Sequence, residues 1–380
     1  MSALEEVDVI VVGAGIAGAS VAAHLAPRAR VAILEREDQP GYHTTGRSAA
    51  LFSAIYGNAV VRALTRASRA ILFEPPAGFS PTPLVRPRAT MYFAREDQLA
   101  ALERFRADAD IRAATRRLSA QEAAAHLPVF RPGYLAGAAL EELSADIDVH
   151  ALHQGFLRLA RDHGARLHRT APVQALRRAG ARWCVETRAG AIAAPVVINA
   201  AGAWGDELAR LAGAAPLGLQ PLRRTALIIA PPAGMDAAAW PAAIDIDEQF
   251  YFKPDSGALL LSPADETPSP PCDARPEDLD VALAVDRYEQ ATGRPVPRVA
   301  HRWAGLRTFA PDRTPVVGFD PQVEGFFWLV GQGGFGIQTA VALGRLAAAL
   351  AAREALPGDL AAQGIEAALL APGRFTPRGR

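Results

Sequence analysis

The stretch VDVIVVGAGIAGAS, which begins at Val7, constrains this chain more than any other. Residues 7–12 are a short β-branched apolar run, the pattern of a strand buried on both faces of a parallel sheet. Glycines follow at Gly13, Gly15 and Gly18, and residues 16–25 then read as a helix with small side chains at Ala17, Gly18, Ala19 and Ala22. The segment RVAILE (30–35) is a second buried strand ending in an acid. Strand, glycine turn, helix and strand make one βαβ unit. In it Gly13 permits the tight turn, Gly15 lets a pyrophosphate approach the backbone, and Gly18 lets helix and strand pack closely. The helix N-terminus offers unpaired N–H groups and the positive end of its dipole to phosphates. Glu35 follows the turn by about 20 residues, where an acid takes ribose hydroxyls and disfavours a 2′-phosphate. The unit therefore predicts a dinucleotide cofactor other than NADP. A purely structural βαβ turn would leave the position of Glu35 without a reason.

The chain has 380 residues, half of them hydrophobic, enough for a large core and for two domains rather than one. Lysines and arginines number 40, as do aspartates and glutamates, so no global field draws the protein to nucleic acid or to an anionic membrane. The basic residues are almost all arginine, Lys253 being the one lysine, which with the abundant Ala, Gly and Pro reads as coding bias. Cys184 and Cys272 lie far apart with no C-x-x-C, so neither a zinc ribbon nor a disulfide framework is expected, and no metal site. The start, MSALEEVDVI, is acidic and its apolar run is too short for a signal peptide. No segment approaches the roughly 20 apolar residues of a membrane span, and a soluble cytoplasmic protein is expected.

Immediately after the second strand, REDQPGYHTTGRSAALFSAIYG (36–57) is a hydroxyl-rich loop running into a helix that would carry Tyr56. Thr44, Thr45, Arg47 and Ser48 make it an arm suited to a second portion of a long cofactor, which an NAD enzyme does not need. Residues 148–167 give an amphipathic helix with Leu152, Phe156, Leu159 and Ala160 on one face. RLHRTAPVQALRR and ARWCVETRAG read as a hairpin, and APVVINAAGAWGDEL as a buried strand followed by a helix. EGFFWLVGQGGFGIQTAVALGRLAAALAA reads as a strand, a glycine turn and a long Ala-rich helix. TALIIAPP and QFYFKPDSGALLLSP are strand-like, with a tight turn at KPDSGA, and residues 264–278 are a Pro-rich surface loop.

The motifs GAGIAGAS, LERE, QPGYHTTGRSAA, ADIDVHALHQGFLR, INAAGAW, PLGLQP, FYFKPDSGALLLSPA, WAGLRTF and EGFFWLVGQGGFGIQT span nearly the whole chain. In this order they resemble the FAD-dependent family of D-amino-acid oxidases, glycine oxidase and sarcosine oxidase, and within it bacterial D-arginine dehydrogenases. The resemblance implies an α/β fold. A Rossmann-like FAD-binding domain would comprise residues 1–85, 143–217 and 305–380. A discontinuous α+β substrate domain, built on a mainly antiparallel sheet, would comprise 86–142 and 218–304. FAD would be non-covalent, since no cysteine lies in the C-terminal region where sarcosine oxidases tether their flavin.

By the same resemblance FAD would contact Gly13, Gly15, Ala17, Gly18, Glu35 and Arg36, and the loop of Thr44, Thr45, Gly46, Arg47, Ser48, Ala49, Ala50 and Leu51. The backbone of Val173 would lie near the adenine, and Ala200, Gly202 and Trp204 would contribute from the third strand. Gly333, Gly334, Phe335, Gly336, Ile337 and Gln338 would approach the flavin, their N–H groups and helix dipole stabilising negative charge on it.

The implied activity is oxidative deamination of D-amino acids to 2-oxo acids and ammonia by hydride transfer to flavin. Electrons would pass to a quinone or another carrier, a role compatible with peripheral contact with the inner membrane. Such a substrate needs a carboxylate clamp, and a planar guanidinium offers two parallel donors. The family pattern puts Arg307 and Arg224 there. Arg224 is expected to begin the strand TALIIA, with Arg223 on the opposite face if the strand starts that early. Tyr251 and Tyr56 each supply an apolar wall with a hydrogen-bonding tip. Gln338 and the carbonyls of Gly305 and Gly334 are candidate partners of the amine. No general base is required, so the rate should rise with pH to a plateau.

Leu51, Ser53, Thr90, Ala242 and Ile244 would line the rest of the pocket. Relatives that prefer D-arginine carry Glu at the position of Thr90 and His at that of Leu51. Thr cannot replace a buried carboxylate facing a guanidinium. Neutral or apolar side chains are therefore expected to be favoured over cationic ones, unless Glu96 or Asp97 supplies a replacement charge. Three other readings stand: a glycine- or sarcosine-type amine oxidase with the same clamp; a 2-hydroxy-acid dehydrogenase with His301 or His43 as base; and a flavoprotein without turnover that serves assembly.

Overall fold

A computed structural model describes residues 5–188 and 190–375; the expected domain ends at 1–4 and 376–380 lie outside it. In chain order the strands that build the site are β1 (Val9–Val12), β2 (Val31–Leu34), β3 (Thr90–Ala94), β4 (Gly137–Glu141), β5 (Arg166–His168) and β6 (Val196–Asn199). They continue as β7 (Gln220–Ile229), β8 (Ala242–Asp245), β9 (Tyr251–Asp255), β10 (Ala258–Ser262), β11 (Val299–Phe309), β12 (Val316–Phe319) and β13 (Phe326–Val330). The main helices are α1 (Ile16–Leu25), α2 (Ala59–Phe73), α3 (Val149–Asp162) and α4 (Gly336–Ala351).

One sheet of six strands runs β5-β2-β1-β6-β13-β12, parallel except for β12. All four residues of β1 are buried because the sheet is covered twice. Val9, Val11, Ile33 and Ile198 face α1 and α4. Ile10, Val12, Leu34 and Val197 face a second sheet whose Trp183, Val185 and Ile192 close the other side. This explains the unbroken apolar runs, where a half-exposed strand would alternate. That covering sheet contains the expected hairpin, Val173–Ala179 with Arg182–Thr187. Helix α1 runs from Ile16 to Leu25 as read from the sequence. It crosses α4 closely because Gly344 is bare: a Cβ there would lie 2.7 Å from the Ser20 Cβ.

The second large sheet has nine strands, ordered Thr267–Pro268, β7, β10, β9, β8, β3, β4 and Arg116–Ser119, with β11 also paired to β7. Its pairs are antiparallel except β8 with β3. Met91, Phe93, Leu227, Phe252 and Leu261 form its core with Tyr288. Each such side chain contributes about 1.5–3 kcal/mol on burial. Ser256 and Gly257 both take positive φ (52° and 81°) and turn β9 into β10, as a two-residue hairpin requires. The architecture is thus an α/β nucleotide-binding unit beside a mainly antiparallel sheet.

Strand β11 crosses the boundary drawn at residue 305. It pairs with β7 without a break in direction from Val299↔Ile229 to Phe309↔Gln220. The motif WAGLRTF therefore belongs to one strand, whose last residues lie beneath the glycine turn after β13. Among the described residues no helix is long and apolar enough to cross a membrane.

Candidate active site

A long cavity of about 370 Å³ lies beyond the carboxyl ends of β1, β2 and β6, and a smaller one of about 80 Å³ opens from its end. Ser48, Ala49, Arg224, Tyr251, Arg307, Gly334 and Ile337 line both, so these residues stand at the junction.

The glycine turn shapes the near end of the long cavity. Gly13 takes φ +104°, and a Cβ on it would meet the Ala200 carbonyl oxygen at 2.4 Å. A Cβ on Gly18 would lie 1.8 Å from the Gly13 oxygen. Gly13, Gly15 and Ala17 line the cavity, whereas Gly18 serves packing beneath it. Glu35 accepts the Ala14 N–H at 2.8 Å and the Glu37 N–H at 3.0 Å, which fixes its carboxylate at the cavity wall with lone pairs left for hydroxyl donors. Thr45 Oγ1 accepts the Ile16 N–H at 3.0 Å and so ties the loop to the start of α1. His153 donates to the Ala14 carbonyl from below at 2.8 Å; burial lowers its pKa, so the ring is neutral. Arg36, Thr44, Val173, Ala200, Gly202 and Trp204 also line this cavity, and Arg36 lies over the Trp204 ring at 4.7 Å.

Several expected contacts have other partners. Arg47 lines the long cavity, and its guanidinium donates to the carbonyls of Ala304 (3.0 Å) and Ala274 (2.9 Å) and pairs with Asp273. With Thr44 Oγ1 donating to the Leu306 carbonyl at 2.8 Å, it docks the arm onto β11. Gly46 lines neither cavity; a Cβ on it would lie 2.8 Å from the Gly41 carbonyl oxygen. The Phe335 ring turns away to pack edge-on against Tyr56 and Phe309. Gly333, Gly334, Gly336 and Ile337 remain at the long cavity.

Arg307, on β11, is the centre of the junction. Its guanidinium lies across the bare Cα of Gly334, where a Cβ would meet Nη1 at 2.9 Å. It donates to the Tyr56 hydroxyl at 3.1 Å and pairs with no carboxylate among the described residues. Burial alone would work against its charge, but the Tyr56 and Tyr251 oxygens outweigh that and raise its pKa further. The converse holds for Tyr251: burial raises the phenol pKa, while Arg307 and Arg224 outweigh it and leave it below the ordinary value.

Arg224 sits mid-strand rather than at a strand start, because β7 begins at Gln220 and pairs with β11 throughout. Its guanidinium is 5.9 Å from the Tyr251 ring and donates to the Asp265 carbonyl (2.7 Å) and to Glu266 (3.3 Å). Arg223 points to the opposite face, onto Asp280 and Glu277. Tyr56 is not helical either. Gly57 takes φ +89°, and Asn58 caps α2 by accepting the Val61 N–H, so the helix begins only at Ala59. Tyr56 is thereby a turn residue aimed at Arg307.

Ala50, Leu51, Ser53, Thr90, Ile244 and Gln338 line the small cavity. Ala242 does not: it pairs with Thr90 and is 1% exposed. Gly305 lines only the long cavity. Gln338 accepts the Ser53 N–H through Oε1 at 3.1 Å, so its amide nitrogen points the other way, where it is buried without a partner. Neither Glu96 nor Asp97 reaches the cavity, and Asp97 pairs with Arg95. The carboxylate at the rim is Glu248, exposed, at φ 54°, with no ion pair among the described residues. No histidine lines the small cavity: His301 stacks on Trp303, and His43 bonds Glu37 at 2.9 Å beside Trp204.

The sequence reading missed Tyr92, Glu248 and, behind the cavity wall, Glu141. Glu141 is a charged residue closing the apolar run GAALE, which was its only visible signal. No cluster suited to a metal occurs among the described residues, and both cysteines are free.

These features fit FAD. The donor-rich turn, the carboxylate at Glu35 and the elongated cavity reaching Gly334 and Arg307 would suit a dinucleotide, and the Gln338 amide, without a partner among the described residues, belongs to the adjoining small cavity. The comparisons agree. A family model described as FAD dependent oxidoreductase (DAO) matches residues 8–350. The uncharacterized oxidoreductase YurR of Bacillus subtilis (strain 168) is 27% identical over 360 residues, covering 88% of this chain and 92% of that protein. Glycine oxidase from Geobacillus kaustophilus superposes with a TM-score of 0.81 at 24% identity, over 92% of this chain and 96% of its own. L-proline dehydrogenase from P. horikoshii gives 0.82 at 20% identity, over 98% of each chain.

Proposed function

This chain belongs to the DAO family of FAD-dependent oxidoreductases, and from that premise we propose that it oxidises D-amino acids to 2-oxo acids and ammonia, favouring neutral or apolar side chains. FAD, when bound, supplies a two-electron acceptor. The observation that carries the reading is Arg307: a charged guanidinium without a carboxylate partner, at the meeting point of the two cavities.

The residues divide the work. Arg307 and Arg224 take the substrate carboxylate, and the planar forks set its angle as well as its position. Tyr251 and Tyr56 pack beside the clamp and donate to the same group. With the acid end held, Cα lies toward Gly334. The two cations lower the pKa of the substrate amine, which favours the neutral amine needed for loss of hydride from Cα. The hydride leaves with both electrons of the C–H bond, the nitrogen gives up its proton, and the resulting imino acid adds water to yield the 2-oxo acid and ammonia. Thr90, Leu51 and Ile244 bring no charge to the side-chain end, which supports the preference for neutral groups; the carboxylate of the same lining, Glu248, stands at the exposed rim. An electron carrier such as a quinone would complete the cycle.

The small volume, about 80 Å³, favours a second reading, a glycine-type amine oxidase. Anaerobic reduction of the flavin by a panel of glycine, sarcosine and D- and L-amino acids, followed by admission of air, separates these readings. Fast bleaching by a neutral D-amino acid is the expected result; reduction by glycine alone, or by D-lactate alone, would replace the proposal. Arg307→Met should lower kcat/KM by about 100-fold or more, the cost of removing one partner of a buried charge-assisted pair.

A further inference from the structure

Beneath the side-chain end of the small cavity lies a polar cluster that the clamp does not use. Glu141 ends β4 directly opposite Thr90 of β3, so both side chains project from the same face of the sheet. The residue is 2% exposed, and its carboxyl group grips the turn before α2 with both oxygens. Oε1 accepts the Ala54 N–H at 2.8 Å, and Oε2 meets Ser53 Oγ at 2.7 Å. Ser53 Oγ in turn lies 3.4 Å from the Tyr92 hydroxyl, and both Ser53 and Tyr92 line the cavity.

A serine hydroxyl has one proton to give. When Glu141 is ionised, Ser53 must donate to it and presents lone pairs to the cavity. When Glu141 is protonated, it donates to Ser53 Oγ, and the Ser53 proton turns toward Tyr92 or the cavity. We propose that Glu141 is a positioning residue which, by directing the Ser53 hydroxyl, decides whether the side-chain end of the pocket offers a hydrogen-bond acceptor or a donor. The substrates best served by the ionised form are D-amino acids whose short side chain ends in a donor, such as a hydroxyl or amide. This rests on reading the small cavity as the substrate site.

The proton sits where it can matter. Burial raises the Glu141 pKa to about 7, against the opposing bonds from Ser53, Ala54 and Ile55. From β3 the facing titratable group is the Tyr92 phenol, whose own pKa burial and Glu141 raise well above its ordinary value. Tyr56 on the turn and Glu248 at the rim act on the same phenol. The helices over this face add Leu99, Leu102, Phe105 and Ile111 to its apolar packing, Phe105 lying 4.8 Å from the Tyr92 ring between centroids. Glu142, next in the chain, points outward to Arg116, and no cation pairs with Glu141 among the described residues. Near neutrality Glu141 is therefore the group of this cluster that changes charge.

The test uses the FAD-loaded protein and ligands that cannot be oxidised. Butyrate and β-alanine match in length, and only β-alanine ends in a donor; pentanoate and 4-aminobutyrate form a longer pair. All four keep constant charge between about pH 5.5 and pH 8.5. Dissociation constants come from perturbation of the flavin spectrum. In the wild type the preference for the amino ligand should rise with pH by about tenfold in at least one pair, with a midpoint near the Glu141 pKa. Glu141→Gln, whose amide mimics the protonated acid, should abolish the step and hold the low-pH preference throughout. Ser53→Ala, which leaves Glu141 in place, should flatten it too. The infrared C=O band of the buried acid should appear in the wild type below neutrality and be missing in Glu141→Gln. A flat wild-type preference in both pairs, or a step that survives in Glu141→Gln and Ser53→Ala, overturns the proposal. Failure of every amino acid to reduce the flavin would instead overturn the oxidase reading, and leaves these titrations legible.

Discussion

At the scale of single residues, the side chains proposed as a carboxylate clamp stood out in the sequence and the groups that support them did not. Arg307 and Tyr251 lie within motifs, Arg224 and Tyr56 a few residues beyond them, and the fold brings all four to one cavity wall. Glu141 lies in no motif: it reaches Ser53 only because β3 and β4 pair in one register. Arg47 lines the long cavity as its place in the hydroxyl-rich arm suggested, but the carbonyls it also serves belong to β11 and the 273–274 loop, far away in sequence and invisible in it. Glu141 also carries a prediction on stability. A carboxyl whose folded pKa is raised to about 7 favours folding fully below its unfolded pKa, and that contribution is lost as pH rises through about 7. Between those limits the wild type should lose roughly 3 kcal/mol relative to Glu141→Gln, which cannot ionise. Urea melts of both proteins across that range measure it, and parallel stability curves would contradict it.

At the scale of elements, the βαβ unit was read almost residue for residue because local chemistry alone dictates it. The glycines, the apolar runs and the absence of a competing cap each point to the same structure. Tyr56 was misplaced because Gly57 and Asn58 override a helix-like pattern, one by its positive φ and the other by capping Val61. The unit also makes the sharpest element-level prediction. Gly18→Ala puts a methyl group 1.8 Å from the Gly13 oxygen. No side chain can yield there, so the turn must open or α1 must move. The variant should keep its far-UV circular dichroism and lose most of its flavin absorbance after gel filtration. Full FAD retention would show that the turn tolerates displacement.

At the scale of the whole molecule, the two large sheets are bound together by more than contact. Asp146 holds Lys253 of β9 at 2.6 Å and also pairs with Arg88, joining the small sheet of Leu51–Phe52, Ala145–Ile147 and Val85–Pro87 to the large one. Strand β11 runs from the large sheet to the cavity junction, and the cofactor arm is bonded along it at Ala304 and Leu306. A boundary at residue 305 falls inside the motif WAGLRTF, and pairing with β7 carries the strand through it. The apoprotein should therefore unfold as one cooperative unit in calorimetry, and FAD should move that single transition upward in proportion to the logarithm of its concentration. Two well-separated transitions would show that the compartments unfold on their own.

The end of β11 has one more consequence. The Gly333 N–H donates to the Thr308 carbonyl at 2.8 Å, and Phe309 bridges to Gln332, so the strand bearing Arg307 is stitched to the bend beside it. Those bonds act as a caliper: the span from the Arg307 backbone to the bend is set by main-chain bonds. On the proposed reading, the wall at Leu51, Thr90 and Ile244 could be widened, narrowed or recharged to admit other side chains while the strand bearing Arg307 keeps its station.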